Sequence, residues 1–130
     1  MRPVMIGRLA VMVLCVCAGW AAATGAASRA VQKPRTVLQV VTIRWTAAAS
    51  PELRRAALEG IEKLASETPG VQGIWLRPLR VQPRDFMSAY ALEFEDQAAA
   101  ERYARQPGHE AWNKSFLALV DESRTQVLTN

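Results

Sequence analysis

Apolar side chains recur along this chain in three ways: as an unbroken run, at every second position, and at every third or fourth. Each spacing specifies a different element. The unbroken run comes first, from Leu9 to Trp20 (LAVMVLCVCAGW), behind the charges of Arg2 and Arg8 and ahead of the small residues AAATGAAS. A basic start, an apolar middle and a small-residue tail make a secretory leader, so residues 1–27 are expected to be removed on export to a periplasmic or extracellular space. Small side chains fit a leader peptidase at Ala21-Ala22-Ala23, Thr24-Gly25-Ala26 or Gly25-Ala26-Ala27. The alternative is an uncleaved membrane anchor, because Leu9 to Ser28 carry no charge and about 20 apolar residues can span a bilayer. The weakly apolar second half of that stretch favours cleavage. A lipid-modified cysteine fits poorly, since Leu14 precedes Cys15 and Val16 precedes Cys17 where a small residue is wanted.

Ser28 to Arg35 is polar, contains Pro34 and reads as a linker, leaving residues 36–130 as one domain. Thr36 to Trp45 follows, rich in β-branched residues, with both alternating sets largely apolar, which predicts a strand covered on both faces. Ser50-Pro51-Glu52 predicts a helix start: a hydroxyl to cap, a proline at the first helical position and a carboxylate near the positive end of the dipole. Leu53, Ala57, Ile61 and Leu64 then form one apolar stripe. Arg54, Arg55, Glu59, Glu62 and Lys63 lie off the stripe and read as a solvated face with i,i+4 pairs.

Thr68-Pro69-Gly70 ends the helix, and Val71 to Arg77 predicts a second strand. Pro78 and Pro83 bracket a loop, after which Phe86 to Phe94 alternates as a third strand, the hairpin partner of the second. Asp96 is placed to cap an alanine-rich helix through Arg105 that Pro107-Gly108 breaks. A helix from about His109 to Val120 aligns Trp112, Phe116 and Leu119/Val120, and Arg124 to Thr129 forms a short fourth strand. The order β-α-β-β-α-(α)-β predicts an α+β, ferredoxin-like fold.

Charge and cysteine content change meaning once the leader is set aside. The basic count falls from 16 to 14 with Arg2 and Arg8, all 12 acidic residues remain, and the net charge drops from +4 to +2. The remaining basic residues are scattered; Arg77, Arg80 and Arg84 around one loop are the nearest thing to a patch, too sparse for a nucleic-acid surface. Cys15 and Cys17 both lie in the leader, so the domain has neither disulfide nor thiolate chemistry.

Residues 36 to 129 resemble the stress-responsive A/B barrel (Dabb, dimeric α/β barrel) family. The marks are the strand VLQVVTIRW, the helix followed by Glu67-Thr68-Pro69-Gly70-Val71, the segment Tyr90-Ala91-Leu92-Glu93-Phe94-Glu95-Asp96, and Tyr103-Ala104-Arg105-Gln106-Pro107-Gly108-His109. The family usually has Tyr, two variable residues, His-Pro, one variable residue and His, followed by an aromatic. Tyr103, Pro107, His109 and Trp112 match, while Gln106 stands where the first histidine is usual. The resemblance implies a homodimer in which two four-stranded sheets face each other as a barrel. The pattern agrees, because a sheet apolar on both faces needs helices on one side and a second cover on the other.

Candidate chemistry is sparse. One histidine and no glycine-rich phosphate loop leave no usual metal ligand set, and no cofactor is expected. Ser66, Ser88, Ser115 and Ser123 sit in no nucleophile motif, and the pairs Glu93/Glu95 and Asp121/Glu122 read as strand-end and turn residues. Haem-degrading or oxygenase chemistry would rest on fold analogy alone.

The favoured reading is a module binding a small apolar or aromatic molecule in a pocket lined by Trp75, Tyr90, Tyr103, Trp112 and Phe116; the bland alternative makes those aromatics core. The second reading is a cofactor-free enzyme resembling the plant polyketide cyclases of the family, with Tyr103 and His109 as acid/base groups. Those cyclases steady their histidine with a carboxylate on the last strand, and Ser123 to Asn130 contains none. His109 shares a helix face with Trp112 and Phe116 and is expected to point toward the sheet, with Gln106 or a backbone carbonyl in place of the carboxylate.

Overall fold

The computed structural model describes residues 29–130, so the leader and its cleavage sites lie outside the described residues. The core is organised by β1 (Val37–Trp45), which pairs antiparallel with β3 (Ser88–Phe94) on one side and with β4 (Val120–Leu128) on the other. β2 (Val71–Trp75) adds antiparallel to β3, giving the order β2-β3-β1-β4. Between β1 and β2 runs α1 (Pro51–Glu67); α2 (Gln97–Arg105) and α3 (Pro107–Leu117) lie between β3 and β4. This is the split βαβ arrangement with one added helix.

The alternation within β1 decides what each face does. Val37, Val41, Ile43 and Trp45 are buried with Tyr90, Leu92 and Phe94 of β3 against Ile61, Leu64 and Ala65 of α1, Ala99 and Tyr103 of α2, and Phe116 of α3. The intervening Leu38, Val40 and Thr42 are only half-buried, because among the described residues no helix covers that side of the sheet. The open face also carries Trp75 and Leu128, which remain 51% and 53% exposed.

The helix ends follow local chemistry. The Ser50 hydroxyl accepts from the Leu53 N–H at 3.3 Å with Pro51 at the first helical position, and the Asp96 carboxylate accepts from the Ala99 N–H at 2.7 Å. At the far end of α1 the buried Thr68 hydroxyl donates to the Leu64 carbonyl at 2.6 Å. Gly70 then turns the chain at φ +90.

Four expectations need correction. Leu53 is 45% exposed and not part of the buried stripe, since α1 begins beyond the edge of the core. β2 ends at Trp75 and β3 begins at Ser88, with a loop between them; Phe86 is buried outside the strand, under the guanidinium groups of Arg44 and Arg124 at 5.3 and 4.6 Å. α3 starts at Pro107 and stops at Leu117. β4 begins at Val120, not Arg124, because Asp121 and Glu122 are strand residues held by Arg44 of β1 at 2.7 and 2.8 Å. That cross-strand network turns an acidic, turn-like sequence into ladder. Among the described residues no helix is long and apolar enough to cross a membrane.

Gly70 gives a direct check on this packing. A Cβ there would lie 2.6 Å from the Ala99 Cβ, and the left-handed backbone is itself costly for any other residue. Gly70→Ala is expected to lower stability by about 1–3 kcal/mol in urea unfolding.

Candidate functional site

Helix α3 places its aromatic residues on the sheet because Pro107 and Gly108 make a sharp junction after α2 and the spacing from His109 to Trp112 to Phe116 keeps one face. Gln106 fixes that junction: its side-chain amide donates to the Thr68 hydroxyl at 2.9 Å, and its backbone carbonyl accepts from the His109 N–H at 3.1 Å. Where the motif usually has a histidine, this chain therefore has a structural tie between the end of α1 and the start of α3.

The aromatic rings form a continuous row. Tyr103 packs on Phe94 at 5.4 Å and meets the His109 ring edge-on at 4.8 Å. His109 lies 5.9 Å from Trp112, which stacks on Phe116 at 4.6 Å and 20°. Phe116 meets Trp45 edge-on at 6.0 Å, and Tyr90 meets Trp112 at 6.4 Å. Trp112 is fixed on its other side by α1. Its indole N–H donates to the Ala57 carbonyl at 2.9 Å, and a Cβ at Gly60 would come within 2.7 Å of its Cδ1. Glycine inside a helix weakens it by about 1 kcal/mol relative to alanine; here it makes room for the indole.

Burial sets the chemistry of this row. The Tyr103 phenol is pushed up to about 12 and the Tyr90 phenol above its ordinary range, both by desolvation, so each stays protonated near neutral pH. Among the described residues the buried Tyr103 hydroxyl has no hydrogen-bond partner. Burial lowers the pKa of half-buried His109, and a hydrogen bond to the Ala104 backbone opposes the shift without reversing it. The imidazole is neutral at pH 7. Among the described residues no carboxylate steadies it: Ser123, Thr125 and Val127 occupy the helix-facing positions of β4, and Asp121 and Glu122 are engaged by Arg44. The backbone, not Gln106, stands in.

Beside the row, α1 and α3 enclose an apolar pocket of about 230 Å³ lined by Leu53, Ala56, Ala57, Trp112, Phe116 and Leu119, with Ser115 at its edge. Of the residues expected to bind a ligand, Trp112 and Phe116 line it. Tyr90 is buried against Trp112 and Tyr103 lies beyond His109, and neither lines the pocket. Trp75 lies elsewhere, on the open face of the sheet with Val40, Ala89 and Ala91. His109 touches the Trp112 ring but does not line the pocket. Leu53 and Ala57 read as core stripe in the sequence; only mid-helical Gly60 signals a close approach there. Among the described residues no group of three metal-ligating side chains comes together.

The family model of the stress responsive A/B barrel domain (Dabb) matches residues 37–127. The chain belongs to the Dabb family. Among solved structures, a Dabb family protein with a ferredoxin-like fold from Mesorhizobium loti is similar at 21% identity and TM-score 0.64, over 73% of this chain and 96% of that one. A dimeric ferredoxin-like protein of unknown function from Jannaschia is similar at 20% identity and TM-score 0.65, over 73% and 99%. A mutant of SnoaB, a cofactor-independent oxygenase from Streptomyces nogalater, is similar at 20% identity and TM-score 0.63, over 74% and 93%. At these identities the likeness is one of fold. No curated protein matches the chain.

Two measurements test the electrostatics of the row. Because the folded-state pKa of His109 lies below the ordinary 6.5, protonation favours the unfolded chain. Stability from this group is thus fully present above about pH 6.5 and is lost as the pH falls through the folded-state value. The melting temperature is expected to drop in that window and His109→Gln to remove that part of the drop; an unchanged slope would count against a buried neutral imidazole. Tyr103→Phe deletes a buried hydroxyl that has no partner, so urea unfolding is expected to show equal stability or a gain of up to about 1–2 kcal/mol.

Proposed function

We propose that this Dabb protein is an exported homodimer that binds a small apolar or aromatic molecule between α1 and α3. The observation that carries the reading is the stacked Trp112–Phe116 pair, which walls an apolar pocket open to solvent that His109 does not line. A stacked wall offers a flat ligand a large apolar surface at no ordering cost, since Trp112 is already pinned to Ala57. At about 230 Å³ the pocket is smaller than the roughly 300–1,000 Å³ that takes drug-sized ligands, so the occupant is small.

Dimerisation is supported by the open sheet face, where Leu38 and Val40 are half-covered and Trp75 and Leu128 are exposed. It is also supported by the dimeric assembly of the similar protein from Jannaschia. Export rests on the basic, apolar and small-residue order of residues 1–27.

A second reading, cofactor-free proton transfer, is favoured by one specific feature. The partnerless Tyr103 hydroxyl and the neutral His109 ring are in contact, which supplies a hydrogen-bond donor for a developing enolate oxygen beside a base. The similarity to SnoaB, a cofactor-independent oxygenase, is consistent with chemistry of that kind. It requires Trp112 to move aside.

The two readings separate by substitution. Leu53 is exposed and lines the pocket, so Leu53→Glu is expected to change stability by less than about 0.5 kcal/mol while weakening binding of 2-naphthol at least tenfold by calorimetry. His109→Ala is expected to leave that binding within a factor of two; loss of a measurable turnover in that variant alone would favour the enzyme. Sedimentation at micromolar concentration is expected to give twice the mass of the processed chain, and a persistent monomer would defeat the dimer. N-terminal sequencing of exported protein is expected to begin near residue 28; a start at Met1 would defeat cleavage.

A further inference from the structure

The open face of the sheet is uneven, and side-chain size is the reason. Between Val40 and Thr42 of β1 and Trp75 of β2, strand β3 presents only Ala89 and Ala91, which leaves a trough of about 240 Å³ with room for an aliphatic side chain. Trp75 lies along its own strand because its neighbour on that face is Gly73, where a Cβ would sit 3.2 Å from the indole Cη2. The indole walls the trough.

The loop between β2 and β3 supplies a projecting side chain at the rim of that hole. Arg77, Pro78 and Arg80 line the trough, whereas Leu79 between them does not and is 106% exposed, so its side chain packs on nothing among the described residues. A leucine held in water gains by being covered. The loop that carries it is anchored at its far end: Phe86 is 1% exposed beneath Arg44 and Arg124, Asp85 pairs with Arg44 at 2.9 Å, and the Phe86 N–H donates to the Pro83 carbonyl at 3.0 Å. Knob and hole thus lie side by side, and within one protomer the knob leaves the hole empty.

We propose that Leu79 of each protomer fills the Ala89–Ala91 trough of its partner, so that the two β2–β3 loops clasp the homodimer. The clasp rests on the homodimer reading and specifies what holds the two copies together. A two-fold interface is self-complementary: where residue i of one copy meets residue j of the other, j also meets i, so one knob and one hole per chain make two contacts. The occupant is a second copy of this chain because the trough is continuous with the half-covered face, with Leu38 and Val40, through which the dimer forms. Sheets packed face to face reach interior density only when large side chains of one oppose small ones of the other. Ala89 and Ala91 are the small ones, and Leu79 arrives on a loop already anchored, so little ordering offsets its burial.

Sedimentation equilibrium over a dilution series gives the dimer dissociation constant for the wild-type protein and three variants. Leu79→Ala is expected to weaken the dimer at least tenfold, since two leucines per dimer lose their burial. The side chain is fully exposed in the protomer, so the circular dichroism spectrum should not change. Ala91→Leu plugs the trough from within and is expected to weaken the dimer at least tenfold as well. The double variant Leu79→Ala/Ala91→Leu puts each protomer's own leucine where the partner's stood, and its dissociation constant is expected to return to within threefold of wild type. Dimerisation of Leu79→Ala as tight as wild type would overturn the clasp and leave the homodimer standing. A double variant as weak as the two single effects multiplied would do the same. A wild-type chain that stays monomeric throughout would overturn both.

Discussion

Everything in this structure depends on the central strand being apolar on both of its faces. Val37, Val41, Ile43 and Trp45 require one cover and Leu38, Val40 and Thr42 a second. The helices supply the first, and that choice fixes where the aromatic row forms. The second is left to whatever meets the open face, so an isolated protomer keeps apolar surface that a soluble domain ordinarily hides. The same strand also carries Arg44, whose three acidic partners bind the start of β4 and the end of the β2–β3 loop to its edge. These ion pairs are exposed and individually worth little, yet as a network they set register and loop path.

The two faces offer different chemistry for a physical reason. On the helix side, burial removes charge: both tyrosines stay protonated and His109 stays neutral, leaving shape and aromatic contact as the chemistry of that face. A histidine that lacks a carboxylate partner is a weaker candidate for proton transfer than one in a dyad, because only a backbone carbonyl fixes its tautomer.

The composition of the motif segment illustrates how one substitution redirects a site. Gln106 in place of the usual histidine cannot titrate near neutral pH, and its amide is spent on Thr68. The residue thus tightens the corner between α1, α2 and α3, holding His109 and Trp112 in place from behind. That trade fits an architecture in which Trp112 is also pinned from the front, by Ala57 and the space over Gly60. Rigid placement suits binding a flat molecule more than opening a path to the imidazole.

By itself the sequence determined the elements whose signals are local. The caps Ser50 and Asp96, the Thr68-Pro69-Gly70 stop, the alternation through β1 and β3 and the helix-face spacing of His109, Trp112 and Phe116 all act within a few residues, and each appears as expected. The tertiary structure alone decided what long-range pairing controls. Asp121 and Glu122 look like turn residues until Arg44, far off in sequence, draws them into a ladder. Leu53 continues a stripe whose first turn hangs beyond the core, and Trp75 shares its aromatic character with Trp112 but lies across the sheet from it. Periodicity tells which residues share a face of one element; which faces meet is settled only when the elements pack.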